Sequence, residues 1–170
     1  MPKKREALAH INTEMASLRQ MPVFCAILVA TMTKNNEQYA YFTVTGDFDP
    51  KTITDRLGIQ PSESWQKGTR NERTHFERKF SRWSLNSRLD HSAALEEHVR
   101  DVLDQTRDLA AAIREIGREF NCCVQLVGYF HNDYPGFGLD SSLIAGLALL
   151  NIGIDCDFYY LYSHEREDSE

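Results

Sequence analysis

Apolar and polar residues alternate over positions 38–45, with Ala40, Phe42 and Val44 on one side and Tyr39, Tyr41, Thr43 and Thr45 on the other. That is the period of a half-buried strand. Gly46 ends it, and Asp49-Pro50 reads as a helix start. The aspartate serves as N-cap, and the proline sits at the first helical position, where a missing N–H costs nothing. Gly58 reads as the stop, which leaves Ile53 and Leu57 to share the buried side. A short strand is expected over 64–67 and a longer one over 76–85. Within the latter Phe80 and Trp83 are out of phase for a period of two, so a bulge is expected near Ser81 and Arg82.

Leu95, Val99, Val102, Leu103, Leu109, Ala110, Ile113 and Ile116 recur at helical spacing. They predict one long helix that starts from Asp90 or Ser92 and ends near Gly117. Residues 122–131 alternate as a strand, with Val124, Leu126, Gly128 and Phe130 on one side and Gln125, Val127, Tyr129 and His131 on the other. A turn follows at Asn132-Asp133-Tyr134-Pro135-Gly136. A helix capped by Asp140 or Ser141 and stopped by Gly153 comes next, then a last strand over 154–161. The order strand, helix, strand, strand, helix, strand fits an α+β ferredoxin-like (βαββαβ) two-layer sandwich, mostly antiparallel, extended by a C-terminal αβ unit.

The first third is less regular. Leu8, Ile11, Met15 and Leu18 lie at helical spacing behind the basic run Lys3-Lys4-Arg5, and residues 22–32 form an apolar run too short to span a bilayer as a helix. A basic start before an apolar stretch loosely matches a signal peptide, but the spacer is long and no Ala-x-Ala follows. Residues 1–33 are therefore read as an N-terminal extension, with translation from Met32 as one alternative. Residues 34–162 are read as a single α+β domain, and 163–170 as a disordered charged tail.

Composition narrows the function classes. A length of 170 residues, 42% hydrophobic and 26% charged, suits one globular domain. A net charge of -6 opposes a phosphate backbone, so no nucleic acid is expected. The four cysteines, at 25, 122, 123 and 156, contain no CxxC pair. They suit free thiols in a reducing cytoplasm, with no structural zinc.

Candidate chemistry gathers in two places. Trp65, Lys67, Arg70 and Arg73, with His75, Arg78, Lys79 and Arg82 nearby, concentrate positive charge around an aromatic ring. They form either an anion or acidic-partner site or a solvated hairpin that keeps a sheet edge soluble. If helices cover one face of the sheet, the other collects Tyr39, Tyr41, Thr43, Gln125, Tyr129, His131, Asp155, Asp157 and Tyr159. Asp155 and Asp157 carry carboxylates about 7 Å apart on one face of a strand. With His131 they suggest a divalent-metal or acid-base site, or simply solvated carboxylates. A protein partner, or the apolar N-terminal segment folding across, suits this face better than RNA. Neither cysteine of the 122–123 pair has a lysine or histidine beside it to depress its pKa. A GxxxxGK[ST] loop and a GxSxG elbow are both lacking.

The run FDPKTITDRLGIQP (48–61), the nearby WQKG (65–68), Trp83-Ser84-Leu85 and the ending LALLNIGIDCDFYY (147–160) together resemble a widespread bacterial family, domain of unknown function 4279. The resemblance covers residues 38–162. It implies a small intracellular α/β domain and carries no catalytic residues. The residues themselves favour a cytoplasmic, non-catalytic protein-binding module without cofactor, of which an immunity-type role against a toxin domain is one concrete form. The alternative is a small enzyme or an anion- or metal-ligand-binding domain using Asp155, Asp157, His131 or Lys67.

Overall fold

The computed structural model describes residues 35–131 and 134–161. The readings for residues 1–34 and for the tail lie outside the described residues. Strand β1, Glu37–Gly46, buries Ala40, Phe42 and Val44 completely and leaves Tyr39 and Tyr41 half-buried on the opposite face. Helix α1, Pro50–Leu57, starts as its sequence requires: the Asp49 carboxylate accepts from the Lys51 N–H at 2.9 Å. It stops at Gly58, whose φ of 69° is a left-handed conformation that an L side chain resists. Ile53 and Leu57 face the core.

Strands β2, Glu63–Trp65, and β3, Ser81–Asn86, form the next pair. The longer strand expected over 76–85 begins only at Ser81, and there is no bulge. The ladder between β1 and β3 runs unbroken from Tyr41 opposite Asn86 to Gly46 opposite Ser81. Phe80, the residue that breaks the period of two, is not part of β3. It lies before the strand and is 47% exposed, while Trp83 and Leu85 are buried in phase. The Trp83 Nε1–H donates to Thr54 Oγ1 at 3.0 Å, tying β3 to α1.

The single long helix is two. Helix α2, Leu95–Thr106, passes through a 3₁₀ turn at Arg107–Leu109 into α3, Ala110–Ile116. The Thr106 hydroxyl bonds back to the Val102 carbonyl at 2.8 Å, a contact that loosens and bends helices. The start also differs from the reading: Ala94 is the N-cap, and the Glu97 carboxylate accepts from its N–H. Asp90 instead folds a local turn, accepting from the Ser92 N–H and hydroxyl.

Strand β4, Asn121–Phe130, precedes helix α4, Ser141–Leu150, and strand β5, Gly153–Tyr160. Asp140 caps α4 by accepting from the Leu143 N–H at 2.8 Å. The helix ends on Asn151 at φ 55° rather than at Gly153, since asparagine also tolerates the left-handed region. In β4 the ring of Phe130 lies back over Gly128, where an added Cβ would stand 2.4 Å from it.

The five strands lie in the order β2-β3-β1-β4-β5. All pairs are antiparallel except β4–β5. The fold is therefore α+β with a mixed, mostly antiparallel sheet. One hydrophobic cluster joins Phe42, Trp83, Val124 and Leu126 of the sheet to Ile53, Val99, Ile113 and Leu147 of the helices, so the four described helices share one face. Among the described residues no helix is long and apolar enough to cross a membrane.

His98 of α2 is wholly buried, with Nδ1 2.5 Å from the Ser87 hydroxyl and Nε2 lacking a partner among the described residues. Burial, then the neighbouring His91, holds its pKa below the ordinary value, with Asp101, Asp90 and Glu97 opposing. A depressed histidine makes the unfolded chain the better proton acceptor. Stability is therefore present in full above the unfolded value of about 6.5 and lost as pH falls below it. Melting curves from pH 7 to pH 5 should show this loss, and His98→Gln should flatten the slope. Separately, Asp49→Ala should cost about 1 kcal/mol in denaturant unfolding.

Candidate functional site

The sheet face away from the helices is built by register. Tyr41 stands opposite Asn86 on β3 and Gln125 on β4, and Gln125 stands opposite Asp155 on β5. The next rung holds Tyr39, Val127 and Asp157, and the one beyond holds Glu37, Tyr129 and Tyr159. Tyr129 and Tyr159 stack at 4.9 Å and 10°. Tyr39 lies between Tyr41, with centroids 6.1 Å apart, and the imidazole of His91 at 4.8 Å.

The loop carrying His91 is fixed to β1, since the Gln38 N–H donates to the His91 carbonyl at 2.9 Å. His91 Nδ1 lies 3.9 Å from a Glu37 carboxylate oxygen. Together Glu37, Tyr39, Tyr41, Glu63, Arg82, Ser84, Asn86, His91 and Tyr129 line a groove of about 430 Å³.

Arg82 governs the middle of this face. Its Nη2 donates to the Tyr41 hydroxyl at 2.5 Å and its Nε to Thr43 Oγ1 at 3.2 Å. Its guanidinium lies 5.1 Å from the Trp65 ring, over which Arg78 sits at 4.0 Å. Burial raises the Tyr41 pKa, and Arg82 opposes that shift. Tyr39 is pushed up to about 12, by burial first and then by Tyr129 and Tyr41. At neutral pH these hydroxyls are neutral hydrogen-bonding groups.

The residues singled out from sequence separate into different surroundings. Tyr129 lines the groove, and Trp65 lies at the β2 edge of the same face. Lys67 is engaged with Asp47 at 2.5 Å. Arg70 and Arg73 lie in the exposed loop between β2 and β3, where the Arg70 backbone pairs with that of Glu77 in an isolated antiparallel bridge and the Arg73 N–H donates to Asn71 Oδ1. Asp155 and Asp157 are exposed and share the open face. Asp157 accepts from Gln125 at 3.1 Å, and Asp155 accepts from the Cys156 N–H at 3.0 Å.

His131 does not join the two aspartates. Val127 is the rung partner of Asp157, and His131 lies four residues farther along the chain, about 13 Å at the rise of a strand. Its N–H donates instead to Asn36 Oδ1 at 2.8 Å. Among the described residues no three His, Cys, Asp or Glu side chains gather to hold a metal. Cys122 packs against the core, and burial pushes its thiol up to about 12. Cys123, on the other face, is raised by burial and by Asp155.

Sequence reasoning leaves Glu37, Glu63, Ser84, Asn86 and His91 off this face and places Arg82 only in the basic patch. His91 comes from a loop with no periodic signal, Glu37 precedes the clear alternation of β1, and Arg82 is assigned to this face only once β3 is in register.

An ultraviolet titration should resolve one tyrosine ionising near pH 12. Tyr129→Phe should move it back towards the ordinary value of 10.0. Because the folded pKa is raised, stability should fall as pH climbs beyond 10.0. All tyrosines ionising together near 10.0 would contradict the packing described.

The profile of a domain of unknown function, DUF4279, matches residues 36–161. Comparison with curated proteins and with solved structures finds no match. The quoted motifs, the order of strands and helices and this match over most of the chain lead to one assignment: the chain belongs to the DUF4279 family.

Proposed function

We propose that the domain is a non-catalytic, cytoplasmic protein-binding module whose open sheet face receives a partner rich in cationic side chains. The observation that carries this reading is the composition of the groove and its surround. Tyr39, Tyr41, Tyr129 and Tyr159 offer ring faces, while Glu37, Glu63, Asp155 and Asp157 set four carboxylates against the guanidinium of Arg82 and that of Arg78 at the Trp65 edge. Tyrosine gives large contact area at low entropic cost, and its ring attracts cations. The carboxylates add long-range steering of a basic partner. They also repel phosphate, which argues against the nucleic-acid use of an aromatic sheet. Inhibition of a toxin domain by an immunity-type protein is a concrete form of this function. The order β2-β3-β1-β4, with antiparallel neighbours throughout, supports reading these strands as ferredoxin-like, with α4 and β5 as an added unit.

Affinity capture on the full chain, followed by titration of the captured protein, tests the reading. A stoichiometric basic partner whose affinity falls with salt is expected. Tyr39→Ala combined with Tyr129→Ala should weaken it by about thirtyfold, the loss typical of a hot-spot pair. Equal affinity of the variant, or a small molecule co-purifying in the groove, would count against the module.

A further inference from the structure

The sheet ends in two unequal edges. At one end β2 is three residues long, preceded by Pro61 and followed by a loop bearing Lys67, Arg70, Arg73, Arg78 and Lys79. Short length, proline and cations are the devices that keep an edge from pairing. At the other end β5 runs eight residues without a proline, lysine or arginine. Its ladder with β4 is regular from Cys123 opposite Gly153 to Phe130 opposite Tyr160. No described strand lies on its far side.

Alternation assigns the backbone groups. The Leu161 N–H donates to the Phe130 carbonyl at 2.8 Å, so odd-numbered residues of β5 turn their amides towards β4. The N–H and C=O groups of Ile154, Cys156 and Phe158 therefore point outward. The hydrogen bond from the Cys156 N–H to its neighbour Asp155 agrees with this phase.

We propose that β5 accepts an added strand from a partner protein, a segment alternating cationic and apolar residues. On the open face Asp155 and Asp157 lie two apart, so lysines or arginines at the same spacing form cross-strand pairs with them. As such a segment docks, Asp155 exchanges its contact with the Cys156 amide for the partner's cation, which frees that amide for the ladder. On the helix face the apolar residues extend the cluster in which Phe158 meets Phe137 at 5.5 Å and Tyr134 at 6.0 Å. A second copy meets like charge in the central registers. Twofold pairing centred on Cys156 sets Asp155 of one copy opposite Asp157 of the other, and pairing centred on Asp157 opposes that residue to itself. The proposal rests on the protein-binding reading and adds a second, backbone-mediated contact to it.

The probe is a fluorescein-labelled peptide of alternating valine and lysine, as long as β5, titrated into the full chain. Binding by anisotropy is expected, with slowed hydrogen exchange at the Ile154 and Phe158 amides. Cys156→Pro should weaken it about tenfold or more, because the ring blocks the outer edge while the bonds to β4 remain. Asp155→Lys with Asp157→Lys should transfer preference to a valine–glutamate peptide, which keeps the test alive if the proline variant fails to fold. Absence of wild-type binding, unaltered exchange at the two amides, or no change of preference on charge reversal would each overturn the edge proposal. Loss of binding in Tyr39→Ala but not in Cys156→Pro would overturn it too, while sparing the groove reading.

Discussion

Everything in this fold depends on the strict two-residue alternation of β1. The strand is hydrogen-bonded to β3 on one side and to β4 on the other, so its phase is fixed twice. Its even-numbered side chains complete the core beneath the helices, and its odd-numbered ones make the tyrosine floor of the groove. A slip of one residue would exchange the two sets, exposing Phe42 and burying Tyr41 with its hydroxyl. Core stability and surface chemistry are thus two outputs of one register.

The polar side chains of the open face show how that register is held. The Thr43 hydroxyl lies 3.2 Å from Ser84 Oγ and accepts from Arg82, which also reaches Tyr41. A buried polar group must find partners, and here the partners lie across the strand interface. The bonds that satisfy Thr43 therefore also fix β3 against β1. Arg82, held between Tyr41 and Trp65, gives the groove a guanidinium at a defined place.

Local chemistry was legible where a single residue type had one physical use. Asp49, Pro50 and Gly58 cap, open and close α1 as their sequence requires, and the alternation of β1 and β4 divides their faces as expected. Expectation failed where tertiary contacts chose between equal options. Phe80 looks like a core aromatic but stays at the surface, and Asn151 forestalls the stop assigned to Gly153. The back-bond of Thr106 divides a helix whose apolar spacing is continuous. For the groove, alternation supplied the tyrosines and aspartates. The pairing of β3 with β1 was needed to add Arg82, and only the path of a loop adds His91.

Gly128 gives the far end of the sheet a different character. Any side chain there meets the Phe130 ring at once, and that ring in turn supports Tyr134 at 4.9 Å and Phe158 at 5.8 Å. A substitution there must displace that ring and what it supports, whereas the exposed residues of β5 meet no such packing. Change at this end of the sheet is therefore costlier beneath the ring than at the exposed rim.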